Sequence, residues 1–168
     1  MRFAPAAAAL SLALAVTASA GFGAERDPAP RAAMLLAEGQ ASLDAGETQA
    51  AIDAFEAALT VDPGYTPTLL RLAEAARSEG LQGKAISYYR EALVREPRNY
   101  AAISGEGAAL AEKGAMEKAR LNLAKLESLC GTGCEETRSL AAAIATGPSE
   151  RVLTAEAVMP DAEAVQSN

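Results

Sequence analysis

The two cysteines are the residues with the most scope for chemistry. Cys130 and Cys134 are the only cysteines among 168 residues, and the spacer between them contains two glycines. In an oxidising compartment, this even count and flexible spacer favour a structural disulfide. A redox-active pair is an alternative, because a helix N-terminus lowers the pKa of a thiol, although thioredoxin-like enzymes use Cys-x-x-Cys. Metal or haem ligation and two free thiols are further alternatives, but two thiols leave a tetrahedral site incomplete.

The absence of histidine excludes several kinds of active site. Without His there is no Ser-His-Asp triad, no Cys-His dyad and no His-ligated zinc. The Gly-x-Ser-x-Gly and Gly-x-Gly-x-x-Gly motifs are also absent. A net charge of −7 with only 4% aromatic residues argues against binding of nucleic acid, which needs basic patches and stacking side chains. We therefore expect a protein that is not an enzyme, holds no cofactor or metal and does not bind nucleic acid.

Charged residues are unevenly distributed along the chain. Residues 32–65 contain six acidic and no basic residues, whereas residues 66–99 contain six basic and four acidic ones. One interpretation is a solvated surface that keeps Ala-rich helices in solution. The other is a polar binding surface whose acidic part faces a basic partner. A calcium-binding loop is not indicated, because Asp-x-Asp-x-Asp-Gly does not occur.

The first 20 residues are typical of a secretory signal peptide. Arg2 is followed by an apolar run over 6–16 and by the small-x-small site at 18–20. The run is shorter than the about 20 strongly apolar residues of a membrane span, and a retained anchor helix is the alternative. The sequence predicts cleavage after residue 20, a flexible lead-in over 21–30 that contains Pro28 and Pro30, and a periplasmic location.

A period of 34 residues runs through the middle of the chain, beginning with Gly46, Gly80 and Gly114. Five further sets of residues keep the same interval: Leu35, Leu69 and Ile103; Ala51, Ala85 and Ala119; Phe55, Tyr89 and Leu123; Ala58, Ala92 and Leu126; and Pro63, Pro97 and Gly131. A constant interval without insertions is typical of repeats that stack into a solenoid.

Each repeat has the pattern of two helices. In the first, Leu36 lies on a helix that Gly46 ends, and Ile52 and Phe55 share one face of a second helix that Pro63 ends. The predicted fold class is therefore all-α. It is a short α-solenoid of three antiparallel helix pairs over 32–65, 66–99 and 100–133, followed by a capping helix over 135–146 and a mostly disordered tail over 147–168.

This pattern resembles the tetratricopeptide repeat over about residues 32–131. The signature of that family is a large apolar residue, Gly or Ala, and later Ala, an aromatic residue, Ala and Pro. It appears here as Leu35, Gly39, Ala51, Phe55, Ala58 and Pro63, and again as Leu69, Ala73, Ala85, Tyr89, Ala92 and Pro97. The third repeat departs from it, with Leu123, Leu126 and Gly131 at the last three places.

The resemblance implies a concave groove, lined by the first helix of each repeat, that holds a peptide or a helix of a partner protein. By position, the groove residues are Leu36, Gln40 and Leu43; Leu70, Arg71, Glu74 and Arg77; and Ser104, Ala108 and Ala111. Arg71, Glu74 and Arg77 are three residues apart and share a helix face. They either contact a ligand or pair among themselves.

The expected function is that of a non-catalytic adaptor of the bacterial cell envelope, which binds another protein on this groove. One alternative is a thiol–disulfide redox protein that uses Cys130 and Cys134. A second is a self-assembling scaffold, because the first repeat has no evident N-terminal cap beyond the segment at Pro28 and Pro30.

Overall fold

The computed structural model describes residues 26–148, which form seven helices and, within that range, no strand. The helices are α1 (Pro30–Asp44), α2 (Thr48–Val61), α3 (Thr66–Ser78), α4 (Gln82–Arg95), α5 (Tyr100–Glu112), α6 (Met116–Cys130) and α7 (Glu135–Thr146). The prediction of an all-α fold is confirmed. The predicted signal peptide and residues 149–168 of the predicted tail lie outside the described residues. No helix of the described range combines the length and the apolar character that crossing a membrane requires.

Glycines with positive φ make the turn between the two helices of each repeat. Gly46, Gly80 and Gly114 have φ values of 78°, 74° and 84°. Glycine adopts this left-handed conformation without the steric cost of a Cβ. In each turn, the N–H of the next residue donates to a carbonyl five residues earlier, as Glu47 does to Ser42. The 34-residue period of these glycines is therefore a backbone requirement of the antiparallel pair.

The apolar core follows the stack from one repeat to the next. Phe55 and Ile52 of α2 pack with Leu72 of α3, and Tyr89 of α4 packs in the next cluster with residues of α3, α5 and α6. Within a repeat, α1 packs on α2, α3 on α4 and α5 on α6. Between repeats, the second helix of one packs on the first helix of the next, as α2 on α3 and α4 on α5, and α3 also contacts α5.

Helix α7 stands where the first helix of a fourth repeat would begin. Leu140 follows Glu106 by 34 residues and is fully buried with Ile103, Ala108 and Leu126. The helix packs on both α5 and α6. It covers the apolar end that the third repeat would otherwise expose, which is how solenoids close their termini.

Two glycines allow an aromatic ring to lie directly against a helix backbone. A Cβ built on Gly39 would lie 2.4 Å from the Phe55 ring, and one on Gly105 would lie 2.2 Å from the Tyr89 ring. Both distances are far below van der Waals contact. The first contact joins α1 to α2 within a repeat, and the second joins α4 to α5 across repeats.

Candidate functional site

A cavity of about 790 Å³ opens beside the N-terminal half of α3. Its walls come from α3, from the turns that precede α3 and α5, from the first turn of α5, and from the segment before α1. The lining residues are Arg26, Gly64, Tyr65, Thr66, Pro67, Leu70, Arg71, Glu74, Glu96, Asn99 and Ala101. We call this space the groove cavity. Of the predicted groove residues, it includes Leu70, Arg71 and Glu74.

The charged residues of α3 are paired in two different ways. Arg71 donates to Glu74 on the same helix at 3.0 Å, and both side chains are about half exposed, at 51% and 47%. Arg77 instead donates to Glu112 of α5, with its Nε 3.0 Å from Oε1. Burial, the largest single effect, lowers the pKa of Arg77, but the charge and hydrogen bond of Glu112 raise it together with Tyr89, and the net pKa is raised. Arg77 thus ties two repeats together, whereas Arg71 and Glu74 form a local pair at the cavity.

The predicted groove residues of α1 lie outside the groove cavity. Leu36 and Leu43 are half-buried and pack at the edge of the cluster between α2 and α3. Gln40 donates from its amide to Asp44 at 3.0 Å. These residues belong to the first helix of the stack but do not line the cavity.

The prediction that α5 contributes Ser104, Ala108 and Ala111 to an open groove is wrong. Ser104 is 8% exposed, Ala108 is 5% exposed and Ala111 is fully buried. The hydroxyl of Ser104 donates to the backbone carbonyl of Glu136 in α7 at 3.0 Å. Ala108 packs in the cluster that contains Leu140 of α7. The resemblance assigned groove positions to all three first helices, but α7 covers the third.

Arg26 is a cavity residue that the sequence pattern did not reveal. Its Nη2 donates to Oδ1 of Asp62 at 2.6 Å, and the N–H of Ala29 donates to Oδ2 at 2.9 Å. The guanidinium also lies 6.0 Å from the centre of the Tyr65 ring. These bonds hold residues 26–29 of the predicted lead-in against the turn after α2. The available signal was Asp62 itself, because an acidic residue at a helix C-terminus needs a compensating donor.

The hydrogen bond from Arg26 lowers the pKa of Asp62, and the Ala29 N–H lowers it further, against the opposing effect of burial. Asp62 is therefore a stable anion that anchors one wall of the groove cavity.

The two cysteines lie together in the turn between α6 and α7. Cys130 is the last residue of α6, Cys134 precedes α7, and their Cα atoms are 5.9 Å apart with the sulfurs in bonding contact. The hydroxyl of Thr137 is 3.0 Å from the Cys134 sulfur and donates to the Gly131 carbonyl at 2.9 Å. The disulfide stays a prediction. Neither cysteine lines the groove cavity.

One group in the described range could offer ligands to a metal ion. Cys130, Cys134 and Glu136 place one ligand atom each within 4.8 Å of one another. Three donors are one fewer than the four of a structural zinc site, and all three residues are only half-buried. The arrangement does not complete a tetrahedral site.

The acidic residues of the first repeat differ in whether their side chains are hydrogen-bonded. Glu56 accepts from Lys84 and from the Tyr88 hydroxyl, each at 3.0 Å. The Lys84 bond lowers the pKa of Glu56, burial opposes that shift, and the Tyr88 bond adds to the lowering. Glu38 and Glu47 are exposed and form no hydrogen bond or ion pair through their side chains to any part of the chain that the structure describes.

Comparison with known proteins finds matches for both the repeats and the fold. Residues 32–65 and 66–99 each match the family model described as Tetratricopeptide repeat. These are the first two repeats predicted from the 34-residue period. No curated protein matches the sequence.

Three solved structures illustrate the likeness in fold. The Sgt2 TPR domain from Aspergillus fumigatus is 24% identical, with a TM-score of 0.63, over 84% of this chain and 93% of that domain. The first TPR of Spaghetti (RPAP3), bound to an HSP90 peptide, is 22% identical, with a TM-score of 0.61, over 73% of this chain and 99% of that one.

The type III secretion chaperone SycD of Yersinia enterocolitica, in complex with a peptide of the translocator YopD, is 16% identical. Its TM-score is 0.61, over 74% of this chain and 93% of that one. At these identities the solved structures show the fold. The match to the family model is confined to the two repeats over 32–65 and 66–99.

Proposed function

We propose that this protein is a non-catalytic interaction module, an adaptor of the bacterial cell envelope, that binds a segment of a partner protein in the groove cavity. The observation that carries the proposal is the cavity itself, about 790 Å³ beside the exposed part of α3. Its volume falls within the roughly 300–1,000 Å³ of typical ligand sites. The SycD and RPAP3 structures, which hold peptides of other proteins, support this mode of binding.

The chemistry of the cavity indicates what kind of segment it accepts. Leu70, Pro67 and Tyr65 provide apolar contact, while Arg71 and Glu74 place opposite charges at the rim. Because the Arg71–Glu74 pair is exposed, opening it to admit a ligand costs about 1 kcal/mol or less. The cavity suits an apolar anchor residue flanked by charged residues.

A double charge exchange tests this site without removing the local ion pair. The variant Arg71→Glu with Glu74→Arg retains a pair but inverts the charges that a partner meets. The matched control is Glu117→Arg with Arg120→Glu, which inverts an exposed pair of the same spacing on α6. In affinity capture from periplasmic extract, we expect the first variant to capture at least about tenfold less of the partner than the parent protein does. The control should capture as much as the parent protein. Equal capture by both variants would contradict the proposal.

We further propose that the chain is exported and cleaved after residue 20. The support is the order of Arg2, the apolar run over 6–16 and the small-x-small site. Fractionation of the native cell followed by N-terminal sequencing should give a periplasmic protein that begins at Gly21. Recovery of the uncleaved chain in the membrane fraction would instead indicate a retained anchor.

Export also favours the disulfide between Cys130 and Cys134, because disulfides persist in oxidising compartments. A second candidate function, thiol–disulfide exchange, is favoured by the Thr137 hydroxyl, which lies 3.0 Å from the Cys134 sulfur at the start of α7. The reduction potential separates the two roles. A value below about −300 mV indicates a structural bond, and one between about −120 and −230 mV indicates an exchange-competent pair.

A further inference from the structure

The 34-residue register shows which positions of a first helix contact the repeat before it. Three such positions are occupied by Thr68, Leu72 and Ala75 in α3 and by Ala102, Glu106 and Ala109 in α5, all of them buried. The covering helix is α2 in the first case and α4 in the second. The equivalent residues of α1 are Met34, Glu38 and Ala41. All three are exposed, Met34 to 73%, because no repeat precedes α1 in the described range.

The middle position of this set varies together with the charge on the covering helix. In α5 the position holds Glu106, whose Oε1 accepts from Nε of Arg90 in α4 at 2.7 Å and whose Oε2 accepts from the amide of Asn122 in α6 at 3.1 Å. In α3 the position holds Leu72, and α2 has Glu56 where α4 has Arg90. A buried carboxylate needs such a partner, since an uncompensated buried charge is strongly destabilising. Glu38 of α1 is the same acidic residue at the same position, without a covering helix.

We propose that the outer face of α1 docks a basic amphipathic helix of a partner protein. We call the surface formed by Met34, Glu38 and Ala41 the α1 end face. The docked helix takes the place of the second helix of a preceding repeat, with an Arg or Lys opposite Glu38 and small apolar residues opposite Ala41. Met34 adapts to the apolar surface of the partner, because its side chain is flexible and unbranched. Within α1 and the turn after it, the exposed acidic residues Glu38, Asp44 and Glu47 outnumber the one basic residue, Arg31, and this acidic excess favours approach of a basic helix.

The chain itself supplies a probe for this surface. Helix α4 is the one that covers an acidic residue at this position, so a peptide of residues 82–95 carries the required Arg90. The Tyr89 ring lies against Gly105 of α5, where a Cβ would collide with it, and α1 has Ala37 at the equivalent place. The peptide therefore carries Tyr89→Ala, which removes the ring. The control peptide has the sequence of α2, residues 48–61, with Phe55→Ala, and it carries Glu56 in place of the arginine.

Both peptides are held helical by a lactam bridge on their outer face, and circular dichroism establishes that their helix contents are equal. Each is titrated into the isotopically labelled protein and followed by NMR. We expect the α4 peptide to shift the amide signals of α1 and its affinity to fall with added salt, because the charges meet at an exposed surface. The α2 peptide should leave the α1 signals unchanged.

Charge reversal at Glu38 separates docking on this face from binding in the groove cavity. Glu38 is exposed, so Glu38→Arg should preserve the fold. It should weaken the binding of the α4 peptide at least about tenfold and allow the α2 peptide to bind. The Arg71→Glu, Glu74→Arg variant should bind the α4 peptide as the parent protein does, whatever its effect on the groove. The proposal is overturned if the α4 peptide shifts no amide signal of α1, or if it shifts the signals of the groove cavity residues instead. It is also overturned if the peptide binds the Glu38→Arg variant with the affinity it has for the parent protein. If light scattering shows that the parent protein is a dimer and that Glu38→Arg is a monomer, the α1 end face binds a second copy of the chain, and the proposal is overturned as well.

Discussion

At the scale of single residues, Asp62 joins the segment before α1 to the turn after α2. Its two carboxylate oxygens accept from Arg26 and from the Ala29 N–H at 2.6 and 2.9 Å. The pattern of the sequence marks this position only as the end of a helix before Pro63. The role of Asp62 depends on a residue 36 positions earlier, which no local periodicity links to it.

The lowered pKa of Asp62 predicts an acid-sensitive contribution to stability. Because the unfolded state takes up the proton first as the pH falls, the stabilisation is present above an unfolded pKa of about 3.9 and is lost as the pH falls towards the lower folded value. Asp62→Asn should therefore lower the free energy of unfolding at pH 7 and reduce its loss between pH 7 and pH 3, measured with urea. Arg26→Gln should produce the same change. An unaltered acid dependence in both variants would contradict the role assigned to this pair.

Gly39 is predicted to be intolerant of even a methyl group. Gly39→Ala places its Cβ 2.4 Å from the Phe55 ring and should destabilise the protein by about 1–3 kcal/mol. Gly83→Ala is the matched control, since its Cβ would meet only the Lys113 ammonium group, at 3.8 Å. The control should be neutral or stabilising by up to about 1 kcal/mol, because alanine favours helix over glycine. Urea unfolding followed by circular dichroism measures both, and equal stabilities would argue against the close approach of α1 and α2.

At the scale of helices, glycine and proline breakers together with apolar spacing were enough to predict the helix pairs. They were not enough to predict what α7 covers. A capping helix over 135–146 was predicted, but the burial of Ser104 beneath α7 was not. The burial of Glu106 was not predicted either, because its carboxylate accepts from Arg90 of the neighbouring repeat and from Asn122 of α6. Such contacts arise from stacking, and an amphipathic pattern within one helix does not contain them.

Truncation of Leu140 tests the role of α7 as the closing helix. Leu140→Ala removes a fully buried side chain from the cluster with Ile103 and Leu126 and should destabilise by about 2–5 kcal/mol. Hydrogen exchange in α5 should accelerate before that in α2, since the end of the stack opens first. Leu121→Ala, at a position 71% exposed on α6, should change stability by no more than about 0.5 kcal/mol. Equal effects of the two substitutions would show that α7 does not stabilise the third repeat.

The proposed disulfide should stabilise the junction of α6 and α7. A loop closed between Cys130 and Cys134 removes unfolded-state entropy worth about 2 kcal/mol. The double variant Cys130→Ser with Cys134→Ser should lose about that amount in urea unfolding, and a reducing agent should have the same effect on the parent protein. Intact-mass measurement after alkylation without reductant should show no modified cysteine. Two alkylated cysteines in protein taken from the periplasm would contradict the bond.

At the scale of the whole molecule, the stack has two ends that differ. Helix α7 closes one end, whereas Met34 and Glu38 of α1 remain exposed at the other. The constant period predicted the stacking itself, because each repeat must bury its apolar face against the next. Pairing of Arg71 with Glu74 was one of the two alternatives that their spacing offered, but the pair between Arg77 and Glu112 was not predicted, since it joins two repeats. The two surfaces proposed for binding are therefore on α1 and beside α3.

The central claim is that the groove cavity beside α3 receives a segment of another protein, and site-specific photo-crosslinking in the native cell tests it most directly. A photoreactive phenylalanine analogue is placed at Glu74, which lines the cavity, or at Val94, which is 82% exposed on α4 and does not line it. The prediction is a discrete adduct with a partner protein from position 74 and none from position 94. No adduct from position 74, or the same adduct from both positions, would contradict it.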